Sequence, residues 1–76
     1  MRKKPDHQQA LITVIEEAMK ERGVSERALC KRLGEHKNYI NEIVHEQHRV
    51  TVPEFIKIAE ALDMSPLDLL ARILRP

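Results

Sequence analysis

The chain has 76 residues, enough for one small domain within the usual span of roughly 50 to 250 residues and too few for a two-lobed enzyme with a cleft between its lobes. Hydrophobic residues make up 42% and charged residues 33%, which excludes a disordered chain, while a chain this short buries only about 60% of its unfolded surface and so has a thin core. Lys plus Arg number 13 and Asp plus Glu 12, a net charge of +1, so nucleic-acid binding cannot rest on bulk charge and would need a local patch.

Two glycines, one Tyr and one Phe argue against a sheet, because strands favour β-branched and aromatic residues. The punctuation predicts five short helices. Asp6 is placed as an N-cap with Gln9 as its capping-box partner. Leu11, Ile12, Ile15, Ala18 and Met19 then recur at helical spacing until Gly23 stops the run, which predicts a first helix over 7–22. Ser25 caps a second, short helix carrying Ala28, Leu29, Cys30 and Leu33, and Gly34 ends it. Gly34-Glu35-His36 leads into a third helix, predicted over 37–45, with Ile40, Ile43 and Val44 as its apolar residues. After the polar loop 46–50, Thr51-Val52-Pro53-Glu54 reads as a capping box with Pro in the first turn. Phe55, Ile56, Ile58, Ala59 and Leu62 form the expected buried stripe of the fourth helix. Ser65-Pro66-Leu67-Asp68 repeats the start signal, and Leu67, Leu69, Leu70, Ile73 and Leu74 load the fifth. No internal repeat or linker interrupts the pattern. The expectation is one domain over 1–76, with 1–5 a basic, frayed arm.

The segment Ser25 to His45 carries the information. Two helices joined by a turn that contains Gly and crossing steeply form a helix-turn-helix. Leu29 and Leu33 face inward from the first, Ile40 and Ile43 from the second. Cys30 is placed at their closest approach, and Gly34 supplies a left-handed backbone. At about 100° per residue, Lys37, Asn38, Asn41, Glu42 and His45 share an arc of about 140° opposite Ile40, Ile43 and Val44. Periodicity alone favours a solvated helix face over a binding face, since polar outer faces are the norm.

The pattern resembles the phage-repressor or Xre-like (lambda-repressor-like) helix-turn-helix family of DNA-binding transcriptional regulators. The residues that carry the likeness are Gly23, Ser25, Leu29, Cys30 (usually Ala in the family), Leu33, Gly34, Ile40 and Ile43. They continue with Phe55, Ile58, Ala59, Ala61, Leu62, Met64, Ser65, Leu69 and Leu70, so the likeness covers about residues 8–70. It implies an all-α, five-helix domain and a regulator whose third helix enters the major groove. Lys37 would then donate to guanine, Asn38 or Asn41 would pair with adenine, and Glu42 would accept from cytosine. Phosphate contacts would come from Arg27, His36, Tyr39, His45, His48 and Arg49, and from the arm residues Arg2, Lys3 and Lys4. Tyr39 stands where the family commonly has Ser or Thr, and Glu26 where it often has Gln. Segment 25–49 holds five Lys/Arg against four Glu. Met19 and Val44, an ion pair in some family members, are both apolar here and are expected to pack together.

The fifth helix has more apolar positions than one thin core face needs. Similar repressors dimerise through this end, so the resemblance implies a homodimer interface of Leu67, Leu70, Ile73 and Leu74 and a palindromic operator bound for repression. A second reading from another class is a protein-interaction module on the same scaffold that does not bind duplex DNA. An enzyme is not expected, for want of a Gly-rich phosphate loop or a paired catalytic constellation. Nor is a metal or cofactor: His45 and His48 are three apart, but His7 and His36 lie elsewhere and a second Cys is lacking. Cys30 reads as a small buried hydrophobe. Apolar runs are too short for a membrane span, and MRKKPDHQQA lacks the apolar core of a signal peptide. The expected partner is therefore double-stranded DNA in the cytoplasm, with no membrane and no small-molecule ligand.

Overall fold

A computed structural model describes residues 6–46 and 48–75. Five helices follow one another: α1 (His7–Arg22), α2 (Glu26–Leu33), α3 (Tyr39–His45), α4 (Val52–Ala61) and α5 (Pro66–Leu74). The described residues contain no strand.

Local chemistry accounts for most boundaries. Asp6 accepts from the Gln9 amide at 3.0 Å and starts α1. Ser25 accepts from the Ala28 amide at 3.1 Å and starts α2. At α4 both halves of the capping box form, with the Thr51 amide donating to Glu54 at 2.8 Å and the Glu54 amide to Thr51 Oγ1 at 3.3 Å. Such caps satisfy amides that have no partner within the helix. Gly23 (φ 66°) and Gly34 (φ 71°) close α1 and α2 in the left-handed region, where a side chain is disfavoured. The turn after α4 uses no glycine: Asp63 takes φ 58° instead, and the Met64 amide reaches back to the Ala59 carbonyl at 2.9 Å.

The core lies where α1, α2, α3, α4 and α5 converge, with Ile15, Leu29, Cys30, Ile40, Ile43, Ile58, Leu62 and Leu69 fully buried. α1 packs on α5 and α3, α2 on α3 and α4, and α4 on α5. Among the polar ties between elements, two involve arginines. Arg32 donates to the Ala61 carbonyl at 2.9 Å, joining α2 to the end of α4. Arg72 donates to both Glu21 oxygens at 3.1 and 3.2 Å, joining α5 to α1. Met19 and Val44 are both buried and belong to the core.

Two expectations, one about α4 and one about α3, are corrected. Ile56, read as part of the buried stripe of α4, is exposed; it sits two residues before Ile58, about 200° around the helix, and α4 turns only its Ile58–Leu62 side to the core. In α5 Leu69 is fully buried and the surplus apolar residues Leu67, Leu70 and Leu74 are exposed, while Ile73, grouped with them, packs partly against the core. The third helix begins at Tyr39 rather than at residue 37. The Cys30 thiol explains this start: it donates to the Lys37 carbonyl at 3.6 Å and accepts the Ile40 amide at 3.5 Å. The Tyr39 amide meets the His36 carbonyl at 3.1 Å. Residues 37 and 38 therefore form a turn leading into the helix.

Candidate nucleic-acid interface

The site is built on α3 and its two flanks. Ile40 and Ile43 are fully buried and Val44 is buried, so the helix is fixed by its apolar side. That side needs nothing but close packing, which leaves the other side available. Lys37, Asn38 and His45 are exposed, and Asn41 and Glu42 half-buried. Asn38 occupies the N-cap position of α3, yet its side chain makes no capping bond, so its amide group is not spent on the helix start. Because Lys37 and Asn38 lie in the turn, they stand ahead of the helix rather than on its wheel. Asn41, Glu42 and His45 keep the helical spacing.

The flanking candidates divide. Arg27 on α2 and Arg49 in the loop after α3 are exposed. Each of three histidines sits beside a carboxylate: His36 Nε2 lies 3.2 Å from Glu42 Oε1, His45 Nε2 3.7 Å from Glu26 Oε2, and His48 Nε2 3.7 Å from Glu54 Oε2. Glu26, which would repel a phosphate, thus has a partner that offsets its charge when protonated. Glu42 is likewise shared between the exposed surface and His36. Arg2, Lys3 and Lys4 lie outside the described residues.

Tyr39 departs from the phosphate-contact expectation. Its ring is only 6% exposed, and its hydroxyl donates to Glu54 Oε2. A Ser or Thr hydroxyl stays at the rim, but a phenol carries enough apolar surface to be drawn inward. Burial first, and the bond to Glu54 second, push the phenol above its ordinary value. The same bond, followed by the Thr51 amide, holds the Glu54 carboxyl at about 2. Glu54 was legible in the sequence as half of a capping box. Its link to Tyr39 joins residues 15 apart in the chain, and no local signal announces it.

Among the described residues, no group of three or more His, Cys, Asp or Glu side chains could hold a metal ion, and no helix is long and apolar enough to cross a membrane. An apolar groove lies between α1, α4 and α5, walled by Leu11, Val52, Phe55, Leu70 and Ile73. None of the α3 residues named above lines it.

Comparison with known proteins agrees with this geometry. The helix-turn-helix family model (HTH_3) matches residues 15–70. Among curated proteins, none matches the sequence. The clp gene regulator ClgR from Corynebacterium glutamicum superposes with a TM-score of 0.83 at 21% identity, over 93% of this chain and 76% of that one. An XRE-family like protein from Pseudomonas syringae pv. tomato superposes with a TM-score of 0.82 at 25% identity, over 92% and 88% of the two chains. A hypothetical transcription factor, NHTF, from Neisseria gives 0.77 at 19% identity, over 92% and 84%. These likenesses are of fold. The family match spans the helix-turn-helix and the helices around it, and with α3 clamped by its apolar side and polar on the other, the chain belongs to the Xre-like, lambda-repressor-like helix-turn-helix family of DNA-binding transcriptional regulators.

Proposed function

We propose that the protein is a sequence-specific repressor that binds a palindromic operator as a homodimer. In this reading α3 enters the major groove, with Lys37, Asn38, Asn41 and Glu42 at base edges. Arg27, His36, His45, His48 and Arg49, together with the arm residues Arg2, Lys3 and Lys4, hold the phosphates. Helix α5 joins two copies through Leu67, Leu70, Ile73 and Leu74 and sets the two recognition helices about 34 Å apart. The bound dimer then blocks polymerase by occlusion. The observation that carries the reading is the two-sidedness of α3 and the turn before it: Ile40 and Ile43 are fully buried while Lys37 and Asn38 in the turn and His45 in the helix are exposed.

The test is selection of bound duplexes from a random pool, followed by titration of the winner against salt. Phosphate contacts release counterions, so affinity should fall steeply, with a log–log slope of about −0.9 per phosphate neutralised. Asn38→Ala or Asn41→Ala should remove about 1–3 kcal/mol of preference at one base pair while leaving helicity intact. Unchanged preference in both variants defeats these contact assignments. Two observations favour a second reading, a protein-interaction module: net charge is only +1, and Val52, Ile56, Leu67, Leu70 and Leu74 are exposed. A chain that ignores every duplex at low ionic strength would support it.

A further inference from the structure

The side chain of Glu54 connects three elements around the candidate interface. Its Oε2 accepts from the hydroxyl of Tyr39, the first residue of α3. Its Oε1 accepts the Thr51 amide at the start of α4. His48, in the loop that follows α3, approaches Oε2 at 3.7 Å. That loop is itself tied down: the His48 amide donates to the Glu42 carbonyl at 3.0 Å, and the His48 carbonyl accepts from Gln8 of α1 at 3.3 Å. Both neighbouring imidazoles stand edge-on to the Tyr39 ring, His36 at 6.0 Å and His48 at 6.1 Å between centroids.

We propose that Glu54, acting through Tyr39, is a positioning residue that sets the stance of the recognition helix and thereby its discrimination between base sequences. Tyr39 directly follows Lys37 and Asn38, so fixing its ring fixes the short turn that presents them. A functional side chain must stand within about 0.5 Å of its working position to keep its selectivity. Core packing of Ile40 and Ile43 resists translation of α3 but is non-directional; a charge-assisted hydrogen bond has a direction. Glu54 is well suited because its carboxylate remains ionised through the working pH range. Neither Tyr39 nor Glu54 touches DNA in this scheme. The proposal rests on the DNA-binding reading above and adds to it residues outside the contact face.

The experiment compares wild type, Tyr39→Phe, Glu54→Gln and the double variant below their melting temperatures. The first readout is the ratio of affinities for the duplex selected from the random pool and for random duplex at one salt concentration. Each single variant should lower that ratio on the order of tenfold, the equivalent of one misplaced base contact, with the salt slope on random duplex unchanged. Because both substitutions break one link, the double variant should lose no more than either single one. The second readout is optical. Tyr39 is the sole tyrosine and the chain has no tryptophan, so ultraviolet titration and intrinsic fluorescence report this phenol alone. Its titration should move down towards the ordinary range in Glu54→Gln. Tyr39→Phe keeps the buried ring and decides the matter if Glu54→Gln does not fold. A role in stability alone would lower the melting temperature and leave the ratio untouched, and that result overturns the proposal. So does a tyrosine titration identical in wild type and Glu54→Gln. A wild type that does not discriminate between duplexes overturns the DNA-binding reading itself, and is told apart because the failure appears before any substitution.

Discussion

Leu67 and Leu69 are the same residue type two positions apart in α5, about 200° around the helix. Leu69 is 0% exposed and Leu67 is 76% exposed. Truncating Leu69 to Ala removes buried methyl groups and leaves a cavity, at a cost of about 2–5 kcal/mol. At roughly 0.05–0.15 kcal/mol per residue, a chain of this size has a total stability of about 4–11 kcal/mol. The variant should therefore melt on the order of 8–40 °C lower, taking about 4–8 °C per kcal/mol for a small domain. Truncating Leu67 should change the stability of an isolated chain by no more than about 0.5 kcal/mol, because its side chain has little to lose. In the proposed dimer the same truncation removes about 1–2 kcal/mol of burial per copy, counted twice in a two-fold interface. That is a weakening of the dimer by roughly one and a half to three decades in Kd. Thermal melts at several protein concentrations and sedimentation equilibrium separate the two effects, since only an associating species shows a concentration-dependent Tm. Equal destabilisation by Leu67→Ala and Leu69→Ala in the monomeric range would refute the orientation of α5. An unchanged dissociation constant for Leu67→Ala would refute a dimer built on this helix.

Three further outcomes are expected. Gly34→Ala meets open space, with no atom within 4 Å of the added Cβ, but holds φ at 71°, so it should cost about 1–2 kcal/mol through the backbone alone; denaturant unfolding should show Gly34→Asn costing less, because Asn tolerates this region. Glu54 has a folded value of about 2 against an ordinary 4.5, so its contribution is fully present above pH 4.5 and is lost as the pH falls from there towards 2. Stability measured against pH should thus show wild type losing more than Glu54→Gln across that window, and parallel curves would refute the link. Cys30 is 1% exposed, so a disulfide reagent should modify the native chain at least about a hundredfold more slowly than the unfolded one, reacting only through openings; fast labelling would refute the packing of α2 against α3.

The parts legible from the sequence were those whose chemistry closes within three or four residues. The caps at Asp6, Ser25, Thr51 and Ser65 each bind an amide two or three positions on, and Gly23 and Gly34 mark left-handed turns by composition alone. The turn at Asp63 escaped the same reading because Asp adopts φ > 0 less readily than Gly, so its presence carried no clear stop signal. The apolar surplus of α5 was visible, with Leu67, Leu70, Ile73 and Leu74 set apart from Leu69, but the partial packing of Ile73 against the core was not.

Hydrophobic period, capping chemistry and glycine placement were sufficient, within the chain's own sequence, for five helices, a helix-turn-helix and an α3 with one apolar and one polar side, because each depends on neighbours a turn or so away. The tertiary structure alone decided that α3 starts at Tyr39, that the Tyr39 hydroxyl turns to Glu54, and that Ile73 packs partly against the core. Those outcomes depend on the Cys30 thiol meeting the Ile40 amide, on Glu54 arriving from another helix, and on α1 and α4 covering one side of α5. Burial and hydrogen bonding between distant residues are set by which surfaces the folded chain brings together, and spacing along the chain does not encode that choice.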